Sequence, residues 1–173
     1  MPVSEIPVSD LPVSDLPAPC AIDIRIIEGD FDPAAETAAL CAGRTDIGAL
    51  VTFTGLCRDE QGALAALELE HYPGMAEAEI ARVAEAATHR WPLLGVRIIH
   101  RYGKLMPGER IVLVMTASSH RANAFAAADF IMDFLKNRAP FWKKEHKPDG
   151  TAKDWVDAKE IDEHALKRWD QAT

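Results

Sequence analysis

The residues best suited to chemistry lie between positions 132 and 145, where lysines flank a proline and two aromatic residues. Lys136 precedes the proline, and Lys143 follows the aromatic pair. From residue 136 to residue 147, five basic residues minus one glutamate give a local charge of +4, whereas the whole chain carries −8. A cationic cluster in an acidic protein predicts an anionic ligand.

The two lysines differ in how easily a purely structural role explains them. Lys136 stands near the end of a predicted helix, where the helix dipole favours a cation by about 0.3–1 kcal/mol. Lys143 has no such explanation. Partial burial among other cations would favour its neutral amine, which suits acid–base or nucleophilic work. We therefore predict a functional role for Lys143 and leave both roles open for Lys136.

Two other segments could bind an anion. The run from Ser118 to Arg121 begins the strongest predicted helix, whose free N–H groups and dipole attract anions. Arg58 follows a predicted strand and carries a planar guanidinium that matches phosphate. Each has a plain alternative: Ser119 is only a helix cap and Arg121 forms a surface ion pair, or Arg58 is a solvated loop residue.

Cysteine and histidine give weaker signals. Cys57 beside Arg58 could be an activated thiolate, but a cysteine at the end of a strand is more often packed. The histidines show no metal-ligand spacing, so we predict no metal site and no cofactor. The three cysteines form no CxxC motif, and free thiols are typical of the reducing cytoplasm, where we expect this chain.

Composition excludes several classes of protein. With 173 residues, 48% hydrophobic and 27% charged, the chain has the make-up of one soluble globular domain. No apolar run is long enough for a membrane span, and the acidic balance argues against general nucleic-acid binding. Three Pro-Val-Ser repeats fill residues 2–16. We predict a disordered tail over residues 1–20 and one domain over residues 21–173.

The elements that must position these residues are predicted from stretches with the two-residue hydrophobic period of a strand and stretches with the 3.6-residue period of a helix. Strands are predicted at Ile22–Glu28, Ile47–Gly55, Ala63–Tyr72, Val96–Tyr102 and Arg110–Ala117. Helices are predicted at Pro33–Ala42, Met75–Trp91, Ser119–Asn137 and Glu160–Trp169, with residues 141–157 extended. Strand pairs mixed with helices predict an α+β fold with a largely antiparallel sheet.

Motifs spread over roughly residues 22–169 follow one another in a recognisable order. They are Val51-Thr52-Phe53-Thr54-Gly55 with Arg58, Leu69-Glu70-His71-Tyr72-Pro73-Gly74-Met75, Arg90-Trp91-Pro92, Ile99-His100-Arg101, Pro107-Gly108-Glu109, Ser119-His120-Arg121, Phe130-Ile131-Met132-Asp133 and Arg138-Ala139-Pro140-Phe141-Trp142-Lys143-Lys144-Glu145. In this order they resemble the large, catalytic subunit of molybdopterin synthase.

The resemblance implies an α/β-hammerhead type of α+β fold and a heterotetramer, in which a small ubiquitin-like sulfur-carrier subunit docks at each end of a central homodimer. The C-terminal Gly-Gly thiocarboxylate of the carrier would supply two sulfurs to cyclic pyranopterin monophosphate, giving molybdopterin. By position, Lys136 and Lys143 match the family's active-site lysines. The residues that match its substrate-contacting positions are Leu56, Cys57, Arg58, His120, Arg121, Lys136, Lys143, Lys144 and Glu145.

Other interpretations stay open at the level of sequence. The basic and aromatic segment 136–147 could belong to a non-enzymatic module that binds an acidic partner or single-stranded RNA, with bases stacked on Phe141 and Trp142. In the enzyme, those two aromatic residues would instead form walls of the pocket or of the channel for the carrier tail, or pack in the core. A stand-alone sulfurtransferase acting through Cys57 is disfavoured by the ordinary setting of that cysteine.

Overall fold

The computed structural model describes residues 20–59, 61–153 and 168–169. The tail predicted over residues 1–20 lies outside these ranges apart from Cys20, and so does most of the helix predicted at Glu160–Trp169. The elements in chain order are β1 (Ala21–Ile27), α1 (Pro33–Cys41), β2 (Ala49–Leu56), β3 (Ala66–His71), α2 (Met75–Arg90), β4 (Leu93–Arg101), β5 (Gly103–Leu105), β6 (Arg110–Ser118), α3 (Arg121–Arg138) and β7 (Phe141–His146).

The strands form two sheets. A four-stranded sheet has the order β1-β4-β6-β2, and a three-stranded sheet has the order β5-β3-β7. Among the described strands, β1 and β4 run parallel, and the other pairs run antiparallel. The predicted α+β fold with a largely antiparallel sheet is confirmed.

Alternate residues of the central strand β4 point into two separate cores, as the two-residue period of a strand requires. Val96 and Ile98 pack with residues of α2 and α3. Ile99 lies on the other face, in a cluster with Leu113 and with Leu40 of α1. The larger sheet is therefore covered by helices on both faces.

The junction between α3 and β7 brings the basic segment to the smaller sheet. Pro140 restricts the residue before it to an extended conformation, and Ala139 has φ −66° and ψ 125°. The helix therefore ends at Arg138, and the chain continues as β7 beside β3. Lys143 lies opposite Leu69 in this pairing.

Differences from the predicted elements have local causes. β3 begins at Ala66 rather than Ala63, because the carboxylate of Asp59 accepts hydrogen bonds from the backbone N–H groups of Gly62 and Leu64 and holds the preceding residues in a turn. The strand β5 was not predicted, because its three residues are too few to show a period.

The start of α3 also differs from the prediction. The helix cap is His120 rather than Ser119, and the hydroxyl of Ser118 accepts a hydrogen bond from the backbone N–H of His120. The interpretation of Ser119 as the helix cap is therefore wrong.

Candidate active site

A cavity of about 330 Å³ lies between the two sheets and the C-terminal end of α3. Its lining is mostly apolar. Among the apolar lining residues are Phe53, Leu67, Leu69, Val112, Leu135 and Phe141. The polar side chains of the lining are those of His100, Lys136, Asn137 and Lys143. A cavity that combines an apolar wall with a few cations strengthens their attraction for an anion, because little water screens the charges.

Both lysines singled out in the sequence line this cavity. Lys136 lies in the last turn of α3, and Lys143 is the third residue of β7. Since alternate strand residues share a face, Phe141 and Lys143 both line the cavity. The helix end and the strand thus converge on one space. The catalytic role of the two lysines stays a prediction.

The neighbours of Lys143 on β7 have a different environment. Trp142 and Lys144 alternate with Phe141 and Lys143, and lie opposite Glu70 and Glu68 of β3. Trp142 is 45% exposed, and neither it nor Lys144 lines the cavity. Of these two aromatic residues, only Phe141 lines the cavity, and a wall of the tail channel stays a prediction for Trp142.

Glu145 is also outside the cavity lining. Its carboxylate accepts a hydrogen bond from the Nζ of Lys153 at 2.5 Å, and its backbone carbonyl accepts one from the backbone N–H of the same residue. These contacts tie β7 to the segment that follows it. A substrate contact for Glu145 therefore stays a prediction.

The segment after β2 lies at the same end of the larger sheet as the cavity, since Gly55 of β2 lines it. Leu56 is 55% exposed and Arg58 is exposed. Cys57 between them is buried, and its backbone N–H donates to the carbonyl of Glu109 at 2.8 Å. Arg58 thus follows an anchored neighbour three residues after Gly55, but it is not itself part of the cavity lining.

The thiol of Cys57 has the properties of a packed side chain. Burial raises its pKa, and the nearby carboxylates Glu109 and Asp59 act in the same direction, against a backbone hydrogen bond at Leu67. A raised pKa favours the unreactive thiol over the thiolate. The structure therefore supports the packing interpretation of Cys57.

His120 and Arg121 lie at the opposite end of α3 from Lys136. They start α3, whereas Lys136 lies fifteen residues further along the same helix. At 1.5 Å per residue, the separation from Arg121 to Lys136 is about 22 Å. Both residues are exposed. Within one copy of the chain, His120 and Arg121 therefore do not share the cavity with the two lysines, and their substrate contacts stay a prediction.

His100 is a cavity residue that sequence reasoning did not single out. Its ring stacks on Phe141 with centroids 3.8 Å apart and planes 16° apart. The Nδ1 atom is 2.9 Å from the carbonyl oxygen of Arg101. The sequence does hold a signal, because His100 continues the inward row of Val96 and Ile98 on β4. A histidine at the next inward position of a core strand is a candidate for a buried site.

The ring of His100 is held in one uncharged form. A carbonyl oxygen can only accept, so Nδ1 carries the hydrogen and Nε2 keeps its lone pair. Burial lowers the pKa of His100 to about 4. The hydrogen bond to Arg101 opposes this shift, whereas the charges of Lys143 and His71 add to it. A neutral imidazole therefore stands in the cavity at neutral pH.

His100 should make the fold less stable as the solution becomes acidic. Its pKa is about 4 in the folded chain against an ordinary value of 6.5, so the unfolded state binds more protons between these values. The contribution of the neutral His100 to the free energy of unfolding is fully present above pH 6.5 and is lost as the pH falls toward 4. At pH 5 this loss is about 2 kcal/mol. Urea unfolding at pH 7 and pH 5 should show this extra loss in the natural chain and not in His100→Phe; equal losses would contradict it.

In the part of the chain that the structure describes, no three His, Cys, Asp or Glu side chains are grouped so that they could hold a metal ion. Cys20, Cys41 and Cys57 are free thiols. None of the described helices combines the length and apolarity needed to cross a membrane.

Fold and cavity together define an α+β domain in which two lysines line one mostly apolar cavity. The family model described as MoaE protein matches residues 26–138. A curated molybdopterin synthase catalytic subunit from Mesorhizobium japonicum is 66% identical over 146 residues, which cover 84% of this chain and 92% of that relative. This chain belongs to the MoaE protein family, and the resemblance seen in the sequence is confirmed.

Solved structures agree with this assignment. The molybdopterin biosynthesis MoaE protein from Burkholderia ambifaria matches with a TM-score of 0.75 and 51% identity, covering 87% of this chain and 99% of its own. Molybdopterin synthase from Staphylococcus aureus matches with a TM-score of 0.68 and 30% identity, covering 76% and 94% respectively. The similarity therefore extends over most of the chain.

Proposed function

We propose that this chain is the catalytic subunit of a molybdopterin synthase, which transfers two sulfurs to cyclic pyranopterin monophosphate in molybdenum cofactor biosynthesis. Family membership and the identity with a curated catalytic subunit support the enzyme class. The observation that carries the chemistry is the placement of Lys136 and Lys143 in one mostly apolar cavity.

The proposed sulfur donor is the C-terminal Gly-Gly thiocarboxylate of a small ubiquitin-like carrier subunit. The negative tail enters the cavity, where the two lysines attract it. Its sulfur bonds to a carbon of the pterin while a carbon–oxygen bond at that carbon breaks and the departing oxygen takes up a proton. Water then cleaves the resulting thioester, which leaves the sulfur on the pterin as a thiol and a carboxylate on the carrier. Negative charge grows on oxygen during cleavage, and one placed ammonium can stabilise that charge by about 2.7–4 kcal/mol.

The phosphate of the substrate needs cations beyond the two lysines. Arg58 follows β2 two residues after its end, close in sequence to Gly55 of the cavity lining, and can supply one. His120 and Arg121 cannot reach the same phosphate within one copy, because they begin α3 whereas Lys136 lies in its last turn. We propose that a second copy presents the start of its α3 beside the cavity of the first. A two-fold homodimer makes this contact twice.

The surface near the cavity has room for such a partner. β2 is the outer strand of the described four-stranded sheet. Phe53 and Leu56 on this strand are 40% and 55% exposed, and exposed apolar side chains on an edge strand suit a protein contact. This arrangement supports a homodimer core within a heterotetramer that carries one small subunit at each end.

Reconstitution tests the proposed function. The purified chain, a thiocarboxylated carrier and the pterin precursor should yield the dithiolene of molybdopterin. A carrier with an ordinary carboxylate is the matched control and should yield none, because it brings no sulfur. Absence of product with the thiocarboxylated carrier, under conditions in which the Mesorhizobium japonicum relative forms it, would contradict the proposal.

The alternative of a non-enzymatic RNA-binding or acidic-partner module has less support. Phe141 is stacked on His100 and faces the cavity, so it is not free to stack on a base. On the other face of β7, Trp142 and Lys144 lie opposite two glutamates of β3, which offset the positive charge. We therefore expect no RNA binding whose affinity falls steeply as the salt concentration rises.

A further inference from the structure

The cavity contains one titratable side chain that the proposed reaction does not use, the imidazole of His100. It occupies an inward position of β4 in line with Val96 and Ile98, where an apolar side chain would extend the core. A polar ring at such a position costs burial energy unless its polar atoms are engaged. Its Nδ1–H is engaged by the carbonyl of Arg101.

The stack between His100 and Phe141 connects the ring to Lys143. The Phe141 ring is near two histidine rings, with centroids 3.8 Å from His100 and 6.0 Å from His71. Lys143 follows Phe141 by two residues on the same face of β7. His100 and Lys143 therefore line the same cavity, and Phe141 lies next to each of them.

The other ring nitrogen of His100, Nε2, can accept a hydrogen bond and carries no charge. An ammonium group has three N–H donors, more than one bound anion takes up. A carboxylate at this position would also accept from the lysine, but it would cancel the positive charge and repel an anionic ligand. A neutral imidazole can orient the ammonium group through a hydrogen bond without neutralising its positive charge.

We propose that His100 is a positioning residue, whose Nε2 accepts a hydrogen bond from Lys143. The stack of its ring on Phe141 keeps the imidazole in place for that bond. The effect of the lysine charge on the titration of His100 supports their proximity. The kinetic part of this inference rests on the proposed function. The structural part does not.

Two substitutions separate the acceptor from the stack. His100→Phe keeps an aromatic ring on Phe141 and removes the acceptor, whereas His100→Gln keeps an acceptor near the position of Nε2 and removes the ring. We expect His100→Phe to lower kcat by about tenfold to a hundredfold, the effect of losing a hydrogen bond to a charged group. KM for the carrier should change less, and His100→Gln should retain more activity than His100→Phe.

The matched control is His89→Phe on α2, an exposed histidine away from the cavity, which should leave kcat unchanged. Melting temperatures of all three variants check that they fold. A natural rate in His100→Phe would overturn the proposal, and so would a His100→Gln enzyme no faster than His100→Phe.

A second measurement does not depend on turnover. Nitrogen-15 NMR of the imidazole at pH 7 should show hydrogen on Nδ1 and a bare Nε2 whose resonance shifts in Lys143→Ala. Hydrogen on Nε2, or no shift in that variant, would overturn the proposal. Failure of the proposed function appears differently, as absence of dithiolene product from the natural chain while the NMR result stands.

Discussion

Lys143→Ala should lower sulfur transfer by about 10²–10⁴-fold, the contribution of one well-placed acid–base or charge-stabilising group. The side chain lines the cavity, whereas its backbone pairs in the middle of β7. Removal beyond Cβ therefore deletes the ammonium without breaking the strand. The rate should be measured with carrier that already bears its thiocarboxylate, so that only the transfer step is tested, and circular dichroism should show an intact fold.

Lys104→Ala is the matched control for this prediction. Lys104 lies in the same sheet, on the face opposite the cavity, where it is exposed and pairs across from Glu68. It should retain the natural rate. A Lys143→Ala enzyme that also works at full rate would show that the assignment of this lysine is wrong.

Lys144→Ala distinguishes the resemblance from the geometry. The resemblance matches Lys144 to a substrate-contacting position, but the alternation of β7 places it on the face away from the cavity. We expect a smaller loss than for Lys143→Ala, because its ammonium does not line the cavity.

The sequence predicts the local features of the site well because their causes are local. Pro140 ends α3, and the two-residue period of β7 places Phe141 and Lys143 on one face. Both effects act within a few residues, so the local sequence determines where the helix ends and the strand begins. Most other elements were also predicted within a few residues of their bounds, for the same reason.

Sequence reasoning fails where the outcome depends on distance along an element or on pairing. The eighteen residues of α3 separate Arg121 from Lys136 by the length of the helix, which a list of basic residues does not show. The pairing of β7 with β3, and not with the larger sheet, determines which lysine faces the cavity. His100 was missed because its importance comes from contact with Phe141, a residue far away in the chain.

A mixture of two inactive variants should regain activity if the site is shared between copies. Arg121→Ala and Lys143→Ala should each be strongly impaired as pure homodimers. In a mixed dimer, one site lacks both side chains, and the other combines the intact Lys143 of one copy with the intact Arg121 of its partner. Mixed dimers isolated with two different tags should therefore show about half the natural rate per dimer.

The mixture of Lys136→Ala with Lys143→Ala is the control. These two lysines line the same cavity within one copy, so every site in a mixed dimer lacks one of them, and no rate should return. Inactive mixed dimers of Arg121→Ala and Lys143→Ala would show that Arg121 acts within its own copy or through the fold. A fully active Arg121→Ala homodimer would remove this residue from the site. Recovery in the first mixture alone would show that Arg121 of one copy and Lys143 of its partner act on one substrate, because each complete site then draws one of them from either copy.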